Sequence, residues 1–326
     1  MSTDTMRAMV QNGFGGPEVL RVERVPRPVP LPTEVLVRVH AAGVNPVDWK
    51  TRAGSGMAGL LGEGPFTLGW DVSGVVEEVG FGVTTLKPGD EVYGMPWFPR
   101  LAGGYSEYVT APARQFARKP AALDHVHAAA VPLAALTAWQ AVVDTAQVQA
   151  GQRVLITAAA GGVGHFAVQF ARRLGAHVIA TASAARHPWL KELGADETVD
   201  YTTTRFEEVV ADVDVVIELV GDAHDDSSTR SLKVLRPGGL LVTIPAGVSP
   251  ELAAAAEAAG VRVTPFLVEP DGTALTAIAG LIDAGEVAVE VAKTFPLEEA
   301  GAAHTFGETG RTRGKIVLTV TEGAAS

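Results

Sequence analysis

A glycine-rich turn is the first sign of chemistry in this chain. Ala159-Ala160-Gly161-Gly162-Val163-Gly164 follows the apolar run Arg153–Thr157 directly and opens a second apolar segment. On the pattern G-x-G-x-x-G, Ala159, Gly161 and Gly164 take the glycine positions. Gly161 lets the backbone approach a pyrophosphate, and Gly164 lets helix and strand pack closely. A helix starting here offers free N–H groups and its positive dipole end to phosphates, which makes Ala160, Gly161, Gly162 and Val163 the candidate phosphate cradle. Glycine turns are common, and the information lies in the strand–turn–helix context. The chemistry expected is binding of a dinucleotide.

The end of the next strand selects the nucleotide. An NAD site places Asp or Glu about 20 residues on, where it accepts from the ribose 2′-hydroxyl. Here the segment reads Ala180-Thr181-Ala182-Ser183, without a carboxylate, and Arg186 follows. The Ser183 hydroxyl and the Arg186 guanidinium suit a 2′-phosphate that a carboxylate would repel, so NADPH is the expected cofactor. The competing reading is an exposed loop arginine. Other polar groupings read as structure: His165 as a first-turn helix residue, and Asp124, His125 and His127 as the opening of a helix. His224-Asp225-Asp226 reads as a solvated loop and helix start.

The elements that must position these residues follow from pattern. The chain has 326 residues, about twice a usual domain of roughly 150, so two domains are expected. Lys and Arg total 26 against 37 Asp and Glu, a net charge of −11 that disfavours nucleic-acid binding. There is no cysteine, hence no disulfide, no thiolate nucleophile and no Cys-ligated zinc. The apolar run from Val154 to Ala171 is interrupted by Thr157, glycines, His165 and Gln169, too broken for the ~20-residue span of a bilayer. No membrane insertion is expected. The opening MSTDTMRAMVQNG lacks a charged region followed by an apolar one, so no signal peptide and a cytoplasmic location are expected.

The first 120 or so residues read as short strands between Gly and Pro, with one short helix near Pro46–Arg52. From about Asp124 the texture changes, and from Arg153 to Thr264 strands alternate with helices, as in a parallel sheet covered on both faces. A helix over Thr273–Ala284 and a last strand over Lys315–Val320 return to the character of the front half. Two domains follow, one of them discontinuous.

Several motifs together resemble one known family. They are Ala42-Gly43-Val44-Asn45-Pro46-Val47-Asp48-Trp49-Lys50, Leu68-Gly69-Trp70-Asp71-Val72, Lys87-Pro88-Gly89-Asp90 and Leu136-Thr137-Ala138-Trp139. The glycine turn with Gln169 and Arg172, Leu193-Gly194-Ala195-Asp196 and Thr312-Arg313-Gly314-Lys315 complete the set. The order resembles the zeta-crystallin-like quinone oxidoreductase family, zinc-free members of the medium-chain dehydrogenase/reductase superfamily. The resemblance covers essentially the whole chain. It implies an α/β protein with a GroES-like β-rich catalytic domain, residues 1–123 and 266–326, and a Rossmann doubly wound parallel-sheet domain, residues 124–265. It also implies an active site between the two and a homodimer formed through the Rossmann sheet edge.

Where zinc-dependent members of the superfamily carry Cys, His and Cys ligands, this chain carries Asn45, Trp70 and a position near Leu133. None is an ordinary zinc ligand, so no metal is expected. The resemblance then implies hydride transfer from NADPH to quinones or to activated C=C bonds of α,β-unsaturated carbonyls, whose own conjugated oxygen takes the developing charge. Asn45 is the implied orienting residue, with Asp48 and Lys50 on the same segment. Lys50 stands where many relatives carry Tyr, and either stabilises an enolate, donates a proton or is solvated. Thr137, Tyr201, Val220, Ala246, Gly247, Phe266, Val268 and Lys315 match cofactor-contacting positions. Trp70, Trp97, Phe98 and Tyr105 either line a pocket or pack the core. The alternatives to the reductase are a trans-acting enoyl reductase and a non-catalytic NADPH-binding sensor or structural protein.

Overall fold

The computed structural model describes residues 4–62, 64–245 and 247–321, and the chain divides into two compact units. One comprises residues 1–136 and 269–326, the other Thr137–Val268.

The central unit holds six strands, all parallel, in the spatial order Glu197–Asp200, His177–Ala182, Arg153–Ile156, Val213–Glu218, Leu235–Thr243, Arg262–Pro265. Numbered along the chain this is 3-2-1-4-5-6, the doubly wound dinucleotide-binding order. The inner strands are buried on both faces, which is why Val154-Leu155-Ile156 and Val178-Ile179-Ala180 run apolar without alternation. The helix Gly164–Arg173 buries Phe166, Val168 and Phe170, and closes with Arg172 and Arg173 where cations complement the helix dipole. The order reverses between Arg153–Ile156 and Val213–Glu218, so the turns after these two strands flank the switch point.

The β-rich unit contains a sheet of seven strands. Val291–Pro296, Lys315–Thr319, Glu34–Val44, Asp71–Val79, Glu91–Gly94 and Phe116–Arg118 run in that order, with Tyr108–Pro112 also paired to Glu34–Val44. Thr5–Gln11, Leu20–Pro26 and Phe66–Thr67 form a smaller antiparallel sheet. Short helices Pro46–Arg52 and Ala300–Glu308 pack on one another. A Cβ on Gly307 would come within 2.6 Å of the Trp49 ring, so a side chain there would separate them.

Three features depart from expectation. Residues 124–136, expected in the parallel-sheet domain, pack with the β-rich unit: Val126, Ala129 and Ala130 share a core with Ala41 and Val317. Residues 137–147, whose spacing is helical throughout, instead take up the end of an α-helix Pro132–Trp139 continued by a π-helical stretch Gln140–Thr145. The strand Val291–Pro296 and the helix Ala300–Glu308 were not legible in the sequence pattern. Trp70, Tyr105 and Phe98 are core residues, Trp70 donating its indole N–H to the Arg100 carbonyl at 2.7 Å. Among the described residues no helix is long and apolar enough to cross a membrane.

Candidate functional site: a nucleotide cradle and a buried polar node

The glycine turn is held from three sides. The Gly161 N–H donates to the Ala158 carbonyl at 2.9 Å, and the His165 N–H to the Gly161 carbonyl at 3.2 Å. The N–H groups of Gly162, Val163 and Gly164 thus precede the helix's internal ladder. The Ala158 N–H donates to Thr181 Oγ1 at 3.2 Å and the Ala159 N–H to the Thr181 carbonyl at 3.0 Å, tying the turn to the end of the next strand. A Cβ on Gly164 would lie 2.5 Å from the Ala158 oxygen and 2.6 Å from the Ala159 Cα, whereas one on Gly161 would meet only the Ala158 oxygen, at 3.2 Å. Gly164 is therefore fixed by packing, while Gly161 leaves room for a ligand beside the backbone. The residues fit a dinucleotide. His165 is fully buried, its Nδ1 3.0 Å from the Gly161 carbonyl, as a helix-start residue.

A residue that sequence reasoning missed braces this turn to its neighbour. Glu218, fully buried at the end of Val213–Glu218, accepts from Thr157 Oγ1 (3.3 Å) and the N–H groups of Val220 and Gly221 (2.9 Å each). It also accepts from the hydroxyls of Ser227 (2.9 Å) and Ser228 (3.0 Å). Five donors offset the desolvation of one carboxylate. The only signal in the sequence is a lone acid closing the apolar strand Val213–Glu218.

Ser183 ends the second strand and precedes the 3-10 turn Ala184–Arg186; both Ser183 and Arg186 are half-buried. Among the described residues the Arg186 guanidinium has no partner. Asp200, aligned with Ala182 on the next strand, accepts from the Thr202 N–H at 3.0 Å and the Thr202 hydroxyl at 2.6 Å. Those donors hold its carboxyl below the usual range. Tyr201 beside it is exposed. Phe266 is half-buried, its N–H donating to the Thr243 carbonyl at 3.1 Å; Val268 and Thr137 are buried. Gly247 has a φ of +68°. Ala246 lies outside the described residues.

In the β-rich unit Asn45, Asp48 and Lys315 come together around Asp71. The Asp48 carboxylate closes a capping box on the helix Pro46–Arg52, accepting from the Asn45 N–H at 2.7 Å. Asn45 Nδ2 donates to Asp71 Oδ2 at 2.8 Å, and the Leu133 N–H donates to Asp71 Oδ1 at 2.6 Å. Lys315 Nζ donates to Asn45 Oδ1, to the Val44 carbonyl at 3.1 Å and to Asp71 Oδ2 at 3.3 Å. Asn45, Asp48, Asp71 and Lys315 are each at most 3% exposed. The ammonium has as many acceptors as hydrogens, so the expected cofactor contact of Lys315 meets full internal occupancy. Asn45, expected to present its amide to a ligand, has partners on both amide ends. Burial, with the Asp71 charge adding to it, pushes Asp48 up to about 7. Lys50, by contrast, is exposed one turn after Pro46, and its ammonium is without a partner among the described residues.

This node occupies the positions at which the sequence reading looked for metal ligands, and its donor set does not fit zinc. Asn45 is engaged on both sides, the Trp70 indole N–H is spent on a carbonyl, and Leu133 contributes only a backbone N–H.

A doubly wound nucleotide-binding unit and a β-rich unit with a buried polar node together define a two-unit, nicotinamide-dependent type of oxidoreductase. Residues 31–121 match the alcohol dehydrogenase GroES-like domain, and residues 193–318 match the family described as zinc-binding dehydrogenase. The chain is 34% identical to mouse (Mus musculus) "NAD(P)H oxidoreductase RTN4IP1, mitochondrial", covering 97% of this chain and 89% of that protein. It is 37% identical to a 2-haloacrylate reductase of a Burkholderia species, covering 95% and 98%. The solved quinone oxidoreductase of Coxiella burnetii superposes with a TM-score of 0.92 at 37% identity, covering 98% of this chain and all of that one. The chain belongs to the quinone oxidoreductase family of the medium-chain dehydrogenases/reductases.

Proposed function

We propose that this protein is a zinc-independent, NADPH-dependent reductase of quinones or of activated C=C bonds in α,β-unsaturated carbonyls. The observation that carries the reading is the Asn45–Asp71–Lys315 node: it fills with internal hydrogen bonds the positions a Lewis-acid metal would need. Oxidation of an unactivated alcohol is thereby disfavoured, whereas an acceptor with a conjugated oxygen carries its own electron sink. The names of the 2-haloacrylate reductase and the quinone oxidoreductase support both acceptor classes.

When bound, NADPH supplies the hydride. Everything else is work for the chain's own groups. The N–H groups of Gly162 and Val163 face the pyrophosphate, with Ala160 and Gly161 beside them, and Thr137, Tyr201, Val220, Gly247, Phe266 and Val268 line the rest of the nucleotide. Ser183 and Arg186 hold the 2′-phosphate. Glu218 keeps the two switch-point turns in register. Asn45 and Asp48 fix the segment that presents Lys50, whose ammonium stabilises the developing oxyanion and hands a proton from Nζ to the product. In this scheme the β-rich unit, residues 1–136 and 269–326, is the catalytic domain, and Thr137–Val268 is the nucleotide domain. The partner is a second copy of the chain, paired through the edge strand Arg262–Pro265, which has one neighbour in its sheet. A cytoplasmic location suits a chain without cysteines.

The cofactor assignment has a direct test. Arg186→Glu places a carboxylate against the 2′-phosphate, and KM for NADPH should rise about 100-fold while that for NADH changes about twofold or less. Equal losses for both nucleotides would remove Arg186 from the site.

A further inference from the structure

The helix Pro46–Arg52 is anchored at its far end by a chain of buried polar groups that the capping box does not explain. Arg52, 3% exposed, donates from Nε to the Gly15 carbonyl at 3.2 Å, and its Nη2 pairs with Glu308 Oε1 at 2.6 Å. Its Nη1 lies 3.3 Å from His304 Nδ1. His304, on the helix Ala300–Glu308, is fully buried, and its Nε2 lies 3.2 Å from the Tyr105 hydroxyl. Tyr105 is fully buried too, and burial, with the Asp48 charge next, holds its phenol well above the usual range. Asp48 Oδ2 is taken by the Asn45 N–H, while Oδ1 is buried and left without a bond of good geometry.

These contacts dictate their own direction. Arginine is always a donor, so His304 Nδ1 must accept from it and the ring is neutral. Burial, with the Arg52 charge beside it, brings His304 down to about 3, in agreement. A neutral ring that accepts at Nδ1 carries its hydrogen on Nε2 and donates to Tyr105 Oη. The tyrosine's own O–H must then point elsewhere, and Asp48 Oδ1 is a buried acceptor left without a partner. We propose that Arg52, His304 and Tyr105 form a hydrogen-bond chain of fixed polarity that ends on Asp48, and that they are positioning residues for the segment carrying Asn45, Asp48 and Lys50. The chain does not conduct protons. If Tyr105 passed its proton inward and took one from His304, the ring would be left as an imidazolate that Arg52 cannot reprotonate. Its effect is to favour the ionised Asp48, an acceptor on both oxygens, and so to favour the closed cap on Asn45. Around Asp48 the charged and titratable groups are Asp71, which opposes its ionisation, and Lys315, which favours it, together with Tyr105; Arg52, His304 and Glu308 stand behind the tyrosine.

The role in turnover rests on the reductase reading, but the polarity does not, and the test separates them. Tyr105→Phe removes one oxygen and keeps the ring. In protein labelled with carboxyl-13C aspartate, Asp48 titrates near pH 7, and the variant should bind that proton about tenfold or more tightly, moving the titration upward. His304→Gln can accept from Arg52 through Oε1 and donate to Tyr105 through Nε2, so it should keep the wild-type titration, whereas His304→Leu should reproduce the Tyr105→Phe result. An unchanged titration in Tyr105→Phe, or equal displacement in the Gln and Leu variants, would overturn the chain. In parallel, kcat at neutral pH should fall in Tyr105→Phe with KM for NADPH unchanged. A wild type that binds NADPH but turns over no quinone or enone defeats the reductase reading and leaves the titration result standing.

Discussion

Replacing Lys315 by Met should cost about 3–5 kcal/mol of stability, the largest effect of any single side chain in the polar node. The residue is 3% exposed and pairs with Asp71, which is fully buried. Removing the ammonium strands a carboxylate that still accepts from Asn45 Nδ2 and the Leu133 N–H but has lost its counter-charge. Asn45 Oδ1 and the Val44 carbonyl lose their donor as well. The pair as a whole is worth much less than the half-pair costs, because two desolvation penalties disappear with it. Lys315→Met combined with Asp71→Asn should therefore recover more than half of the loss. Urea unfolding of the two single variants and the double gives the coupling directly. Additive losses would mean that the two groups act independently.

Gly164→Ala should damage both folding and nucleotide binding. The added Cβ falls 2.5 Å from the Ala158 oxygen, 2.6 Å from the Ala159 Cα and 2.7 Å from the Ala159 oxygen. All are backbone atoms, so the turn must open. Strain of this kind costs about 1–3 kcal/mol, and a displaced cradle should weaken NADPH by about tenfold or more. Gly161→Ala is the informative companion. Its Cβ meets only the Ala158 oxygen, at 3.2 Å, so thermal stability should change little. The methyl group instead occupies space assigned to the pyrophosphate, and NADPH binding should fall while the fold persists. Calorimetric melting with and without NADPH distinguishes the two. A Gly161→Ala protein that binds normally would place the nucleotide elsewhere.

The parallel-sheet unit was legible because its signals are local. Continuous apolar strands, a glycine turn between strand and helix, and the missing acid after Ala182 all lie within single short windows. The polar node was legible only in part. Asn45, Asp48 and Lys50 share one motif, but Lys315 meets Asp71 across 244 positions, and its occupancy by three acceptors has no local trace. His304 was invisible for a related reason. It sits in Ala300–Glu308, a stretch of small residues with no clear apolar period, and it meets Arg52 across 252 positions. The boundary near residue 124 was placed by a change of texture. Contacts of Val126 and Ala129 with Ala41 and Val317 decide it instead, and those partners are far away in the chain. Glu218 shows the converse: one acid at a strand end is easily taken for surface until five donors are found around it.

The measurement that bears most directly on zinc-free reduction is anaerobic NADPH oxidation by protein dialysed against EDTA, with metal content assayed in the same sample. An ortho-quinone and a cyclic enone serve as acceptors. The account predicts turnover with at least one acceptor, preferring NADPH to NADH, at a rate unchanged by the chelator and with less than stoichiometric zinc. Activity that disappears on EDTA treatment and returns with added zinc would contradict it.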